Sequence, residues 1–209
     1  MIFTVQYTDV ATLWVVPRAQ WNKGQRATRD TLETIVDLLP FPCKGFHPDS
    51  GSEFINWHLK AWCDERGIQL TRSRPNHKND NAYVEQKNGH VVRRFLGYTR
   101  LDCPDVLPVM NDYYAVLTTY VNHFLPSRKC IEKVRVGARY HRTYDAAQTP
   151  YARVLAHASV ADDVKDRLRA LHDTLNPLIL KNEMEQLRKQ LFQTQRDAGT
   201  HGVSGNDAR

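Results

Sequence analysis

The first residues of the chain alternate between apolar and polar side chains, which is the pattern of a half-buried β-strand. Residues 2–7 follow this period of two, and a second apolar run, 13–16, follows after a plausible turn at 8–12. Pro17 comes directly after the second run, and we expect it to end that strand. Two strands so close in sequence predict an antiparallel hairpin.

Helical and strand patterns then alternate as far as residue 124. The spacing of apolar residues predicts a helix over 25–39 ended by Pro40, a short strand over 44–47, a helix capped by Ser52 and stopped at Gly67, and a short strand over 68–71. A polar loop follows, and either Asn79 or Asp80 can cap a long helix that reaches about Tyr98. A further helix is expected from about Pro104 to Phe124. This alternation is typical of an α/β domain.

The pattern changes after Pro126. Residues 127–150 are basic and show no regular period, so we interpret them as a linker. Two amphipathic helical stripes follow, separated at Pro177: Val164, Leu168, Leu171 and Leu175, then Leu180, Met184, Leu187 and Leu191. Each apolar face needs a partner, so this segment is expected to fold back on the core or to contact another chain. The polar, glycine-rich tail from about Thr194 is expected to be disordered.

Composition narrows the class of protein. A hydrophobic content of 41% is sufficient for a packed core, and a net charge of +6 suggests an anionic partner, most simply nucleic acid. No apolar run is long enough to span a membrane, and no signal-peptide pattern is present. Four widely spaced cysteines form no CxxC pair, which indicates reduced thiols rather than a zinc site or a disulfide scaffold. A cytosolic protein is the expectation.

Two carboxylates carry the candidate chemistry. Asp49 follows a short strand in the run His47-Pro48-Asp49-Ser50-Gly51, and Glu85 lies in the first turns of the long helix, with 35 residues between them. A strand end and a helix can bring two acids together around divalent cations, which prefer oxygen ligands. The alternatives are that Asp49 is a turn residue capping the next helix and that Glu85 is an ordinary acid near a helix N-terminus.

These residues resemble a known family. The Asp-x35-Glu spacing, the Asp-Ser-Gly-Ser-Glu-Phe turn from Asp49 and the run from Pro75 to Glu85 look like the catalytic core of retroviral-type integrases, and most closely like bacterial insertion-sequence transposases that share this domain. Further segments that match the family lie at 7–12 with Trp14, 71–75, 97–98, 122–127 and 149–151. The resemblance therefore covers roughly residues 2–155. Ser50 and Leu13 depart from it, since the family usually has asparagine and glycine there.

The resemblance implies a ribonuclease-H-like mixed sheet flanked by helices and two Mg²⁺ or Mn²⁺ ions held in part by Asp49 and Glu85. It also implies 3′-end processing and strand transfer of DNA, the nucleotidyltransferase and endonuclease-type chemistry of transposition and DNA recombination. A third carboxylate is implied as well, an aspartate on the central first strand, and no residue here matches it. Asp9 is the tempting substitute, but it aligns with a turn and leaves 39 residues before Asp49, about one strand too few. We therefore expect the central strand to be missing and this chain, as written, to be unable to catalyse strand transfer.

Basic residues near the two acids are the candidate DNA contacts. They are Arg72, Arg74, Lys78, Lys87, Arg93 and Arg94. On the predicted helix Lys87 and Arg94 share one side, which favours a phosphate-contacting face over a merely solvated one. His77 is interpreted as an ordinary loop histidine, and Trp57 and Trp62 as core residues.

The sequence therefore predicts an integrase-type catalytic core over 1–125, a basic linker over 126–159, a helical extension over 160–193 and a disordered tail over 194–209. The predicted function is metal-dependent polynucleotidyl transfer on transposon-end and target DNA by a homo-oligomer, with no small-molecule cofactor. A non-catalytic, DNA-binding or oligomerising remnant of a transposase is the alternative, and the missing aspartate separates the two. A hydrolytic nuclease of the same superfold is a further alternative.

Overall fold

The computed structural model describes residues 1–48, 57–71, 94–96 and 101–203. Within them the strands are β1 (Phe3–Thr8), β2 (Val15–Gln20), β3 (Gly45–Phe46), β4 (Gln69–Leu70), β5 (Cys130–Val136) and β6 (Arg139–Tyr144). The helices are α1 (Gln25–Asp37), α2 (Trp57–Glu65), α3 (Arg94–Leu96), α4 (Val106–Phe124), α5 (Pro150–Ala156), α6 (Asp162–Thr174) and α7 (Pro177–Val203). The chain is thus a mixed α/β protein, as its alternating patterns predict.

The predicted opening hairpin is confirmed, but the prediction that Pro17 ends its second strand is wrong. β1 and β2 pair antiparallel from Phe3↔Gln20 to Thr8↔Val15, and Pro17 lies within β2 opposite Gln6. The outward edge of β2 explains why proline is tolerated. On that edge two asparagines of α4 bond the backbone of β2. The side-chain amide of Asn122 bonds both the N–H and the C=O of Val15, and that of Asn111 does the same at Ala19. Pro17 lies between those two residues, where its missing N–H removes no bond of the β1–β2 ladder.

The turn between β1 and β2 is built around Asp9. Its carboxylate accepts hydrogen bonds from the backbone N–H of Thr12 at 2.6 Å and from the Thr12 hydroxyl at 2.7 Å. Leu13 then adopts a left-handed backbone with φ 62°, a conformation that favours glycine. This is the position where the resembled family has glycine, and the leucine side chain is buried there. Burial of the leucine offsets part of the backbone cost.

Strands β3 and β4 form a separate two-stranded parallel pair with Gly45 opposite Gln69 and Phe46 opposite Leu70. Helix α2 connects toward β4 through a turn at Gly67, whose φ of 65° is the left-handed value of a helix C-terminus. Among the described residues no backbone hydrogen bond joins this pair to β1–β2. The single ribonuclease-H-like sheet and its missing central strand therefore stay predictions.

Two apolar clusters lie on opposite faces of the β1–β2 hairpin. Val15 and Ala19 face the first, which α4 and α7 complete with residues such as Tyr114, Leu117 and Leu191. The second is formed by residues of β1, β2, α1, α2, α5 and α6. Its buried members include Val5, Val16, Leu32, Ile35, Trp62 and Val164. Trp62 is a core residue as predicted, but Trp57 is not, because 83% of its surface is exposed at the start of α2.

The C-terminal helices fold back on the core, one of the two outcomes expected for the leucine stripes. Val164 and Leu168 of α6 and Met184 and Leu191 of α7 are buried, whereas Leu171 remains exposed. Helix α7 begins at Pro177 as expected but continues to Val203, past the point where we placed the start of the tail. Within the part of the chain that the structure describes, no helix has the length and apolarity needed to cross a membrane.

The segment interpreted as an irregular linker is in fact structured. β5 and β6 form an antiparallel hairpin joined at Gly137 and Ala138. Gly137 has φ 62°, which a tight hairpin turn requires. All four cysteines are free thiols, as the sequence suggested.

Candidate functional site

The carboxyl ends of β3 and β4 lie side by side at one edge, and both lead into predicted site segments. β3 ends at Phe46, three residues before Asp49, and β4 ends at Leu70, two residues before Arg72. Thr71 donates its backbone N–H to the carbonyl of Phe46 at 2.9 Å. The Thr71 hydroxyl and Nδ1 of His47 are 2.8 Å apart and share a hydrogen bond. These contacts fix where the two segments leave the parallel pair.

Most residues predicted to act at the site lie outside the described residues. These are Asp49, Arg72, Arg74, Lys78, Glu85, Lys87 and Arg93, together with His77, for which no role was predicted. Arg94 has its backbone in α3, but its side chain is also outside the described part of the structure. Their predicted roles in metal and DNA binding stay predictions.

The carboxylate of Asp9 stabilises the turn between β1 and β2. This carboxylate closes the turn through Thr12, and the backbone N–H of Asp9 donates to Trp14. Withdrawing that carboxylate to bind a cation would leave the Thr12 N–H without its partner, at a cost of about 1–3 kcal/mol if the group stays buried. The structure therefore confirms that Asp9 lies in a turn. That Asp9 is not the third metal-binding acid stays a prediction.

Asp49 and Glu85, the two acids expected to bind Mg²⁺ or Mn²⁺, lie outside the described residues, so metal binding stays a prediction. Within the described ranges no group of three or more His, Cys, Asp and Glu side chains could hold a metal ion. Carboxylates such as those of Asp49 and Glu85 are the oxygen ligands that Mg²⁺ and Mn²⁺ prefer. Burial raises the pKa of Cys43, whose sulfur lies 3.9 Å from the Tyr7 hydroxyl, so this thiol stays protonated at neutral pH.

A second polar feature, which sequence analysis missed, is the β5–β6 hairpin, here called the ribbon (130–144). Its root is held by an ion pair in which Arg153 of α5 contacts Asp145 at 2.5 Å, with side chains only 9% and 20% exposed. The same guanidinium donates to the Ser127 carbonyl, and Asp145 accepts from the backbone N–H of Lys129. The hydrogen bond from Arg153 lowers the pKa of Asp145. A weak signal for the ribbon was present in the sequence, namely Gly137 between two runs rich in β-branched and aromatic residues.

A third feature is an aromatic stack at the junction of α4, α5 and α6. Nδ1 of His123 lies 3.1 Å from Nδ1 of His172, and the Tyr151 ring stacks on both imidazoles with centroid distances of 5.0 and 4.3 Å. Two ring nitrogens this close need one proton between them, so the pair is compatible with at least one neutral imidazole. Burial, and to a lesser extent the charge of His172, lowers the pKa of His123 to about 4.

Comparison with known proteins gives partial matches. Over 150 residues the chain is 39% identical to the uncharacterized protein y4rM of Sinorhizobium fredii, which covers 72% of this chain and 43% of that protein. Over 90 residues it is 33% identical to the Pro-Pol polyprotein of simian foamy virus type 1 and 32% identical to that of type 3, covering 39% of this chain and 8% of each polyprotein. The chain therefore spans less than half the length of these relatives. No protein-family model matches it.

Among solved structures, the chain is similar to one in a simian T-cell lymphotropic virus intasome bound to a PP2A regulatory subunit. The TM-score is 0.47 at 16% identity, over 58% of this chain and 42% of that one.

Proposed function

We propose that the protein contributes an integrase-type catalytic core to metal-dependent polynucleotidyl transfer on DNA, the chemistry of transposition. The observation that carries the proposal is the shared edge of β3 and β4, where one strand leads toward Asp49 and the other toward Arg72 and Arg74 in the sequence. Loops at the carboxyl ends of adjacent parallel strands are a common place for catalytic groups in α/β proteins. Sequence similarity to viral Pro-Pol polyproteins also supports the proposal of an integrase-type function.

Asp49 and Glu85 would hold the cations, and each would supply one charged oxygen ligand. A bound pair of such cations would supply activation of the attacking oxygen and stabilisation of the leaving oxygen of a phosphodiester. The protein's own part is to position the two acids. The hydrogen bond between His47 and Thr71 ties the start of the Asp49 segment to the end of β4. This tie makes His47 a positioning residue in the proposal.

The DNA would lie along the basic residues that follow. Arg72 and Arg74 come directly after β4, and Lys78, Lys87, Arg93 and Arg94 extend the series along the chain. Contacts of such residues with phosphates fix the register of DNA without reading its sequence. The proposed partners are therefore transposon-end and target DNA, and a second copy of the chain in a transposition assembly.

The third carboxylate decides whether this chain acts alone. No residue of the given sequence matches the family's first aspartate, and Asp9 is bound in its turn. We therefore expect no strand transfer from the 209-residue chain by itself. Activity is expected once a strand that carries such an aspartate is joined upstream of Phe3.

A strand-transfer assay with Mn²⁺ and labelled element-end DNA tests the proposal. The extended chain should join DNA ends, Glu85→Gln and Asp49→Asn should each abolish joining, and Glu183→Gln on α7 should not. An extended chain without activity, or with activity that survives Glu85→Gln, would contradict the proposal. Inactivity combined with tight DNA binding would instead favour the non-catalytic remnant.

A further inference from the structure

The ribbon is exposed from Ile131 onward and is strongly basic. Every residue from Ile131 to Tyr144 that belongs to β5 or β6 is exposed. The segment 128–144 contains six lysine and arginine residues and one glutamate: Arg128, Lys129, Lys133, Arg135, Arg139 and Arg142 against Glu132. Glu132 accepts a hydrogen bond from Thr143, at 3.4 Å across the ribbon. The segment therefore carries a clear excess of basic over acidic side chains.

The charges are concentrated on one face. Lys133 pairs directly with Arg142, and Arg135 pairs with Tyr140, so these four side chains point to the same side. The Lys133 ammonium lies 4.5 Å from the centre of the Tyr140 ring, which confirms that the two share a face. We call this the basic face. The opposite face carries Val134, Val136, Arg139 and His141 together with Glu132.

Directly opposed like charges are unfavourable in a sheet. Lys133 and Arg142 stand side by side in a two-stranded hairpin, an element with little stability of its own. The direct pairing places two cationic side chains next to each other on an exposed face. Two adjacent cations suit a ligand with closely spaced negative charges.

The root makes the ribbon a fixed projection rather than a loose loop. Arg153 clamps Asp145 and the Ser127 carbonyl, and Ser127 and Gln148 exchange two backbone hydrogen bonds at 2.9 and 3.2 Å. Thr149 then caps α5 through a hydrogen bond from the N–H of Ala152. Because the strands leave this clamped root as a pair, the basic face has a defined orientation relative to α5.

From these observations we propose that the ribbon binds duplex DNA, with its basic face against the phosphates that border a groove. A two-stranded ribbon fits within the major groove, which is about 12 Å wide. A strand of six residues is about 20 Å long, enough to reach the phosphates of both groove walls. Tyr140 adds an apolar ring between the cations, where it can contact a sugar or a base edge. The proposal does not depend on Asp49, Glu85 or any catalytic step.

Fluorescence anisotropy with a labelled 30-base-pair duplex, in EDTA to exclude metal chemistry, tests the proposal on the full chain. The ribbon variant carries Lys133→Gln, Arg135→Gln and Arg142→Gln. Its matched control carries Arg167→Gln, Lys181→Gln and Lys189→Gln, which remove the same charge from exposed positions on α6 and α7. The ribbon variant should bind at least ~tenfold more weakly than the control at 100 mM salt. Its salt dependence should flatten by up to about 3 units of log–log slope, about 0.9 for each lost phosphate contact.

Equal affinity of the ribbon variant and the control would overturn the proposal. A second variant, Val134→Thr with Val136→Thr, alters the opposite face and should leave DNA binding unchanged. If that variant weakens binding instead, the basic face is not the contact surface. Competition by a poly-glutamate peptide as effective as duplex, charge for charge, would also overturn the proposal and identify an acidic protein as the ligand class. Because no strand transfer is measured, these outcomes are independent of the proposed catalytic function.

Discussion

The two antiparallel hairpins of this protein are similar in length and opposite in environment. β1 and β2 have six residues each, and β5 and β6 have seven and six. Helices cover both faces of the first hairpin, and side-chain amides from α4 satisfy its outer edge on β2. The second is exposed on both faces, and the Arg153–Asp145 ion pair anchors its root. The first hairpin is therefore a scaffold, and the second is a surface available for binding.

The comparison also shows two ways to manage an exposed strand edge. In β2 the groups that a neighbouring strand would bond are taken by Asn111 and Asn122, and Pro17 has no N–H to offer between them. In the ribbon, charged side chains on exposed edges discourage pairing with another sheet. Substitutions should consequently affect stability in the first hairpin and ligand binding in the second.

The largest loss of stability is expected from Asn122→Ala. Asn122 is fully buried, and its amide both donates to the Val15 carbonyl and accepts from the Val15 N–H. Removing it leaves two buried backbone groups without partners, at about 2–4 kcal/mol in total. Urea unfolding measures the change. Asn111→Ala, at the less buried end of the same edge, should cost less, and an equal or larger loss there would contradict the edge-capping account.

A smaller loss is expected at the root of the ribbon. Arg153→Leu leaves the Asp145 carboxylate without its guanidinium partner and should destabilise the protein by about 2–3 kcal/mol, since the pair is nearly buried. Adding Asp145→Asn removes the unpaired charge and should recover part of that loss. Limited proteolysis should cut the ribbon of Arg153→Leu faster than that of the native chain. A double variant less stable than the single one would argue against the ion pair as the anchor.

The aromatic stack should make stability depend on pH. Because the pKa of His123 falls to about 4 in the folded protein, the unfolded chain binds its proton first as pH decreases below about 6.5. Stability is therefore complete above that pH and is lost progressively down to about pH 4. Between pH 7 and pH 5 the native chain should lose about 1–2 kcal/mol more than His123→Phe, allowing for partial solvent screening. Urea unfolding at both pH values measures the two losses. If the native chain and His123→Phe lose the same stability between pH 7 and pH 5, this role of His123 is contradicted.

The smallest effect on stability is expected in the ribbon. Arg142→Thr relieves the repulsion with Lys133 across the strands, so the free energy of unfolding should change by no more than about 0.5 kcal/mol, if anything upward. Its affinity for duplex DNA should nevertheless fall. A clear loss of stability would mean that the ribbon is structural like the first hairpin, and would remove the contrast between them.

Local pattern predicted the elements whose apolar residues face a core. The alternation of 2–7, the spacing within α1 and the two leucine stripes all gave the right type of structure. The ribbon was missed because both of its faces are exposed, so it lacks the apolar side that makes alternation visible. The prediction that Pro17 ends the second strand was wrong for a related reason. The sequence does not reveal that asparagines from α4 cover the outer edge of β2.

For the candidate sites, the sequence identified individual residues but did not show which of them lie next to each other in the fold. His123 and His172 are 49 positions apart, and no spacing rule connects them. The link between His47 and Thr71 likewise depends on the pairing of β3 with β4. Asp49 and Glu85 were chosen on motif and spacing, and they lie outside the described residues.

Titration of the full chain with Mn²⁺, followed by the electron paramagnetic resonance signal of the free ion, tests whether Asp49 and Glu85 form one metal site. The native chain should bind Mn²⁺ in the presence of duplex DNA. Asp49→Asn and Glu85→Gln should each weaken binding, and the double variant should be little worse than either single one, because the two acids serve the same site. The control Glu183→Gln should bind as the native chain does. Binding that is unchanged by both single substitutions would contradict the proposed active site.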